Sequence, residues 1–338
     1  MIREFLKRLI VRKDLTAAEA EQMMQQMLSD ATTDGDLAAL VVALIHKGET
    51  VEELVGFART IRRMYQPIHS GNPALLDITG TGGDRDTFNI STAAAFAIAG
   101  AGLPVAKHGN YAVTSSCGTA EVLAELGIPI DTPVEVTQHC LDEVGLCFVC
   151  EPLFHPNMSR ITRIRREIGV RTVFNLLGPL TNPARATHHL VGVFHESLTD
   201  LLAQALRQLG CERAWVVHGA DGLDEITLNG TTRVSEVKGD KIIAFYLAPG
   251  DFDGNPPGAD DLAGGDARQN ARMILEVLEG QKNAARVIVA VNAGAGLHIG
   301  GKAGDLSTGI QMALEAIDSG AALRTLERVR AFTQRGTV

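Results

Sequence analysis

Leu75-Leu76-Asp77-Ile78-Thr79-Gly80-Thr81-Gly82-Gly83-Asp84, continued by Thr87-Phe88-Asn89-Ile90-Ser91-Thr92, is the stretch from which the rest of the chain can be read. An apolar run at 75–78 reads as a short strand, and it runs straight into Gly80, Gly82 and Gly83. An alanine-rich run at 92–101 then reads as a helix. Glycines at such a junction let the backbone approach a ligand closely, and the free N–H groups of a helix start carry partial positive charge. The segment is therefore expected to hold an anion, with phosphate or pyrophosphate as its cargo.

The same alternation continues along the chain. Apolar runs at 105–107, 146–150, 190–194, 214–218 and 287–292 read as strands, and helical patterns at 119–126, 134–144, 198–209 and 267–278 lie among them. This predicts an α/β lobe with a mainly parallel central sheet, whose ligands sit beyond the carboxyl ends of the strands. Before residue 70 only helical signals occur. Thr16-Ala17-Ala18-Glu19 and Thr50-Val51-Glu52-Glu53 match the capping box, and Leu37, Leu40, Val41, Leu44 and Ile45 recur at helical spacing. A small N-terminal helical domain at 1–70 is thus expected beside an α/β domain at 71–158 and 186–338. A helical insertion at about 159–185 would pack on the former.

A chain of 338 residues exceeds the usual single core, which fits two lobes with a cleft between them. Its 45% hydrophobic content with only 4% aromatics describes helices and buried strands packed through small side chains. A net charge of −9 argues against a nucleic-acid partner, because sequence-independent binding needs clustered Lys and Arg. The stretch at 90–106 is too short and too interrupted to span a bilayer, and residues 1–13 lack a signal-peptide core, so a cytoplasmic location is expected. Five cysteines suggest reduced thiols. Cys147 and Cys150 are spaced as C-x-x-C, but on a strand they point to opposite faces, and core thiols are the better reading than a shared metal.

Four further clusters follow the glycine loop. Lys107 closes a strand where its ammonium can reach a phosphate, and the small polar run ending at Thr119 can offer hydroxyls and amides to a second anion. The alternative is a surface lysine at a strand end. His155 precedes an arginine group, Arg163, Arg165, Arg166 and Arg171, in which a guanidinium suits a carboxylate substrate and a solvated, salt-bridged helix face is the plainer alternative. The stretch from Phe174 through Pro179 to Pro183 reads as a rigid connection or hinge. Asp221-Gly222-Leu223-Asp224-Glu225 places carboxylates on a loop, where they suit Mg²⁺ unless they form a simple acidic turn.

With these clusters in order, the chain resembles the anthranilate phosphoribosyltransferases of tryptophan biosynthesis, which have a class II nucleoside-phosphorylase-like fold. The resemblance runs from the N-terminal helices to about residue 331 and rests on the ordered set rather than on any one motif. It implies that Gly80, Gly82, Gly83, Asp84, Thr87, Asn89, Ser91, Thr92, Lys107 and Thr119 hold 5-phosphoribosyl 1-pyrophosphate (PRPP). It further implies that Ser91, Asp224 and Glu225 bind Mg²⁺. Gly80, His108, Asn110, His155, Arg165 and Pro179 would line the anthranilate site, with Arg165 facing the carboxylate and no covalent nucleophile required. Homodimers joined through the helical domain are usual in the family. In one loop the sequence departs from the family pattern: Tyr111, Ser116 and Cys117 stand where Arg, Lys and Ser are common. Two cations near the phosphates are thereby absent, which bears on PRPP affinity more than on reaction class. A pyrimidine nucleoside phosphorylase of the same fold shares the glycine loop and strand-end lysine but lacks the block from His155 to Pro183. A non-enzymatic phosphometabolite or nucleic-acid binder stays open through the Tyr111 to Cys117 loop, against the acidic charge and the Asp224-Glu225 pair.

Overall fold

A computed structural model describes residues 2–83, 86–111, 117–150, 154, 158–252 and 259–335. Four helices open the chain: α1 (Ile2–Ile10), α2 (Ala17–Met27), α3 (Asp34–Lys47) and α4 (Val51–Met64). Thr16 and Thr50 cap α2 and α4, each with the reciprocal Glu19 or Glu53 bond of a capping box. Glu53 also accepts from the Leu15 backbone at 3.0 Å and pairs with Lys47 at 2.9 Å, so one buried carboxylate ties three helical segments together.

The strands β1 (Leu76–Gly80), β2 (Val105–Gly109), β3 (Leu146–Cys150), β4 (His188–Gly192), β5 (Arg213–Gly219), β6 (Thr232–Lys238) and β7 (Lys241–Leu247) form one sheet among the described residues. Their order is β3-β2-β1-β4-β5-β6-β7, parallel from β3 through β5 and antiparallel beyond. The chain therefore moves outward from β1 to β3, then returns to place β4 on the other side of β1. That reversal leaves a crevice at the carboxyl ends of β1 and β4, where parallel sheets place ligands. The connection from β3 to β4 carries α8 (Ser159–Ile168) and α9 (Val173–Leu177), while α5 (Ile90–Gly100), α6 (Thr119–Glu125) and α7 (Val134–Val144) precede it.

Alternation along the strands divides the interior. Leu190, Trp215 and Val217 face one core with α5, while Val191, Ala214 and Val216 face another that continues through α10 (Leu198–Gln208), α8, α9 and the N-terminal helices. The helical segment at 158–180 thus shares its apolar core with the N-terminal helices. Two stretches of chain run side by side between the lobes, joined where the Ile68 N–H donates to the Pro183 carbonyl at 3.1 Å.

Three expectations change. The run at 287–292 is not a strand but the middle of α12 (Ala284–Ile299), which follows α11 (Ala267–Leu278) and precedes α13 (Leu306–Asp318) and α14 (Ala321–Arg335). It is buried on nearly every side, so it shows no amphipathic period, and its β-branched residues mimic a core strand. Its backbone meets that of α13 at Gly294, where an added Cβ would lie 2.5 Å from the Ile310 nitrogen. Second, β6 and β7 form an antiparallel hairpin at the sheet edge, beyond the strands expected from the sequence. Third, α5 begins at Ile90 rather than at Thr92.

Candidate functional site

A cleft of about 220 Å³ opens at the carboxyl ends of β1 and β2. It is lined by the glycine loop, by the ends of β2 and α6, by Arg165 and residues of α9, and by Asp224 and Glu225. Each wall can be traced to a local device.

Gly82 stands at φ +87°, a conformation that glycine alone adopts without strain, and this turns the loop away from the line of β1. The Thr81 N–H donates to the Gly192 carbonyl at 2.9 Å, and its hydroxyl accepts the Phe194 N–H at 3.1 Å, so the loop is stitched to the end of β4. The Gly82 N–H donates to Asp224 Oδ2 at 2.9 Å, and the Gly83 N–H bonds the same carboxylate. Gly80, Gly83 and Gly192 all lie so close to Asp224 that a Cβ at any of them would collide with it. Gly80 and Gly83 therefore seat the Asp224 carboxylate, and Gly192 seats its backbone.

Lys107 is not a surface residue. It is 1% exposed, and its ammonium donates to the Ile78 carbonyl at 2.7 Å and to the Ser91 hydroxyl at 3.1 Å. Burial lowers its pKa, opposed first by the charge of Asp77 and then by Glu225 and Asp224. Asp77 is itself wholly buried and accepts the His108 N–H at 2.9 Å; burial pushes its pKa up to about 6.

Asp224 and Glu225 sit opposite. Burial raises both pKa values, and for Glu225 the adjacent charge of Asp224 adds to the effect while Lys107 opposes it. The backbone N–H of Ser91 bonds Glu225, which brings the hydroxyl of Ser91 beside the pair. Ile226, the next residue, is gripped on both backbone groups by Asn292 of α12, at 2.9 and 3.1 Å. Asp221 plays a different part: it accepts the Thr227 hydroxyl at 2.8 Å and closes the turn. No cluster of three or more His, Cys, Asp or Glu side chains with metal-binding geometry occurs among the described residues. Two crowded carboxylates and a hydroxyl fit Mg²⁺, which takes few protein carboxylates and completes its shell with water and phosphate oxygens. A divalent cation would also relieve the like-charge crowding that raises the pKa of Glu225.

At the other end of the cleft Arg165 is only 4% exposed, despite its place on a helix whose Arg160 and Arg163 reach outward to Asp34 at 2.6 Å. Its Nη2 donates to Asn175 Oδ1 at 3.3 Å, and the guanidinium lies 5.5 Å from the Phe174 ring centre. A salt-bridged surface face and a buried arginine are both present on α8.

The cleft brings together Gly80, Gly82, Gly83, Thr87, Asn89, Ser91, Lys107, His108, Asn110, Thr119, Arg165, Pro179, Asp224 and Glu225. Thr92 is fully buried within α5 and does not line it. Asp84, His155 and Ser116 lie outside the described residues. Of the departures, Tyr111 and Cys117 line the cleft; the Arg166 guanidinium stands 5.9 Å over the Tyr111 ring, and burial pushes the Cys117 thiol up to about 11, leaving it un-ionised at neutral pH. Sequence reasoning passed over Asn175 and Asn292. The first had a signal, since Thr172-Val173-Phe174-Asn175 places an amide where a capping box needs one, and that box forms. A lone asparagine inside an apolar run gave none for the second.

No helix among the described residues is long and apolar enough to cross a membrane. The sequence profile described as glycosyl transferase family, helical bundle domain, matches residues 3–64, and that described as glycosyl transferase family, a/b domain, matches residues 72–323. The anthranilate phosphoribosyltransferase of Pelotomaculum thermopropionicum is 45% identical over 334 residues, 98% of this chain and 97% of its own length. The crystal structure of the Thermus thermophilus enzyme of that name superimposes with a TM-score of 0.91 at 39% identity, covering 98% of this chain and 99% of its own. The Saccharomyces cerevisiae enzyme in complex with PRPP and Mg gives 0.89 at 27% identity, covering 99% and 98%, and its complex with 4-fluoroanthranilate gives 0.87 at 25% with the same coverage. Matched in both lobes and along nearly its whole length, the chain belongs to the anthranilate phosphoribosyltransferase family of glycosyl transferases.

Proposed function

We propose that the protein transfers the 5-phosphoribosyl group of PRPP to the amine of anthranilate, giving N-(5-phosphoribosyl)anthranilate and pyrophosphate. The observation that carries this reading is that one cleft holds an anion-binding loop, a buried lysine and a carboxylate pair at one end, and a buried arginine at the other. A doubly phosphorylated sugar and an aromatic carboxylate need those two ends.

In this reading Asn89, Lys107 and Thr119 offer donors to the phosphates, Gly82 and Gly83 let the chain approach them closely while their amides hold Asp224, and Arg165 pairs with the substrate carboxylate while Gly80, His108, Asn110 and Pro179 bound the ring. Ser91, Asp224 and Glu225 would hold Mg²⁺, which when bound offsets the charge of the departing pyrophosphate. The amine attacks C1 of the ribose from the face opposite the pyrophosphate, with inversion. An aryl amine is nucleophilic without prior deprotonation, so the chain supplies orientation and charge stabilisation rather than a base or a covalent nucleophile. Asp84 and His155 are assigned by family pattern alone. Five buried free thiols fit a reducing compartment, and we place the reaction in the cytoplasm. Ile10, Val11 and Val42, each at least half exposed on the helical lobe, support a homodimer through that face.

The test is loss of anthranilate fluorescence on mixing the protein with PRPP and Mg²⁺, with Arg165→Ala and Asp224→Asn alongside. Mg²⁺-dependent turnover is expected, with the KM for anthranilate raised at least about tenfold in the first variant, as for loss of a charge-assisted bond. Absence of turnover at any PRPP concentration would overturn the assignment.

A further inference from the structure

Arg171 stands in the turn between α8 and α9, outside the cleft lining, yet reaches the glycine loop from behind. Its Nη2 donates to the Gly83 carbonyl at 2.7 Å, and its guanidinium carbon lies 4.6 Å over the ring of Phe194, just past β4. One turn on, the Asn175 amide donates to the Thr81 carbonyl at 3.4 Å. Two loop carbonyls are thus held from the connection that packs on the helical lobe, while the N–H groups of Gly82 and Gly83 turn the other way, toward Asp224. A glycine-rich loop has no side chains to set the direction of its peptide groups, so that direction must be imposed from outside.

We propose that Arg171 is the positioning residue of the anion loop: by engaging the Gly83 carbonyl while stacked on Phe194, it holds the loop so that the Gly82 and Gly83 N–H groups stay on the Asp224 carboxylate, which places that carboxylate for the metal-bound pyrophosphate. The anion cradle then forms only when the helical segment is docked against the sheet, which couples closure of the lobes to PRPP binding. A planar guanidinium can lie flat on a ring and donate from its edge at once, a geometry that a compact ammonium cannot reproduce. The positive charge of Arg171 also acts on Asp224, lowering its pKa against the effect of burial.

This inference rests on the proposed function for the identity of the anion, and its test separates the two. Calorimetric titration of Mg²⁺-pyrophosphate into the intact protein reads the loop directly, and initial rates read turnover. In Arg171→Met, pyrophosphate affinity and the KM for PRPP are expected to worsen about tenfold, while the KM for anthranilate stays within about twofold. Arg171→Lys should recover part of the loss, and Phe194→Leu should show a smaller loss in the same direction; these two carry the test if the methionine variant does not fold. Unchanged pyrophosphate affinity in the variants would overturn the proposal. So would equal rises in both KM values accompanied by a lower melting temperature, the mark of a merely structural contact. Wild-type protein that binds pyrophosphate through Arg171 but does not consume anthranilate would sustain this inference and sink the proposed reaction.

Discussion

Substitution of Gly192 by alanine tests the seat of Asp224 most directly. A Cβ there would fall inside the Asp224 carbonyl and lie 3.1 Å from its Cα. Strand β4 cannot yield, because Gly192 is paired with Gly80 on one side and with Val217 on the other. The turn carrying Asp224 must instead move, by roughly 2 Å to recover ordinary van der Waals spacing. That movement takes the carboxylate off the Gly82 and Gly83 amides. Overpacking costs about 1–3 kcal/mol and an unsatisfied buried polar group about as much again, so a loss of about 4 kcal/mol is expected. At about 2 °C per kcal/mol in a chain of this size, the melting temperature falls by roughly 8 °C. Catalysis should suffer more, since a misplacement of about 1 Å near reacting groups costs on the order of 100-fold. Thermal unfolding by circular dichroism and anthranilate fluorescence rates give the two readings. Gly304, with no atom within 4 Å of its Cβ position, is the control, and Gly304→Ala should behave as wild type. If Gly192→Ala kept wild-type melting and rate, the close approach of β4 to the acidic turn would not be what holds the site.

Two further outcomes follow from buried titrating groups. The Nε2 of His189 bonds the Ala186 carbonyl at 2.9 Å, and burial holds the pKa of the ring down to about 3. Because the unfolded chain takes up that proton first, its contribution is intact above about pH 6.5 and is lost as the pH falls toward 3. By about pH 5 this amounts to about 2 kcal/mol, so urea unfolding at about pH 7 and about pH 5 should show a smaller difference in His189→Gln than in wild type. An unaltered difference would exclude His189 as the source. Glu225→Gln should raise the Mg²⁺ requirement for turnover at least about tenfold while raising the metal-free melting temperature at about pH 9, where Glu225, its pKa pushed up to about 8 by burial and by the charge of Asp224, has lost its proton and crowds that charge. A lower melting temperature without metal would mean that Glu225 is stabilising as a carboxylate.

Where local physics acts through neighbours in sequence, the residues announced it. The strand, glycine turn and helix from Leu75 onward, both capping boxes, the strand position of Lys107 and the loop position of Asp224 are set by nearby residues and are legible there. Burial is not local. Lys107 reads equally as a surface lysine until β1 is laid beside it, and nothing in the sequence shows that the Thr92 side chain is buried within α5. The central α12 reads as a strand because complete burial erases the period that marks a helix. The hairpin of β6 and β7 had a signal, Gly239-Asp240 between two runs of β-branched and aromatic residues, and Gly239 indeed adopts φ +56°. Arg171 was visible as one of four arginines, but which of them reaches the sheet depends on how the whole connection docks.

The hold of Asn292 on Ile226 has a consequence for the growing chain. The acidic turn is anchored by a side chain that follows it by 66 positions. During synthesis the anion loop, Lys107 and the turn at 221–225 all emerge while their fastening is still within the ribosome. Domains fold as their sequence is released, so the half of the cleft that carries the carboxylates gains its final shape only after α12 has emerged and packed against α5 and α13. A chain interrupted before residue 284 would hold every residue assigned to the site, yet would lack the clamp on Ile226 that holds the acidic turn.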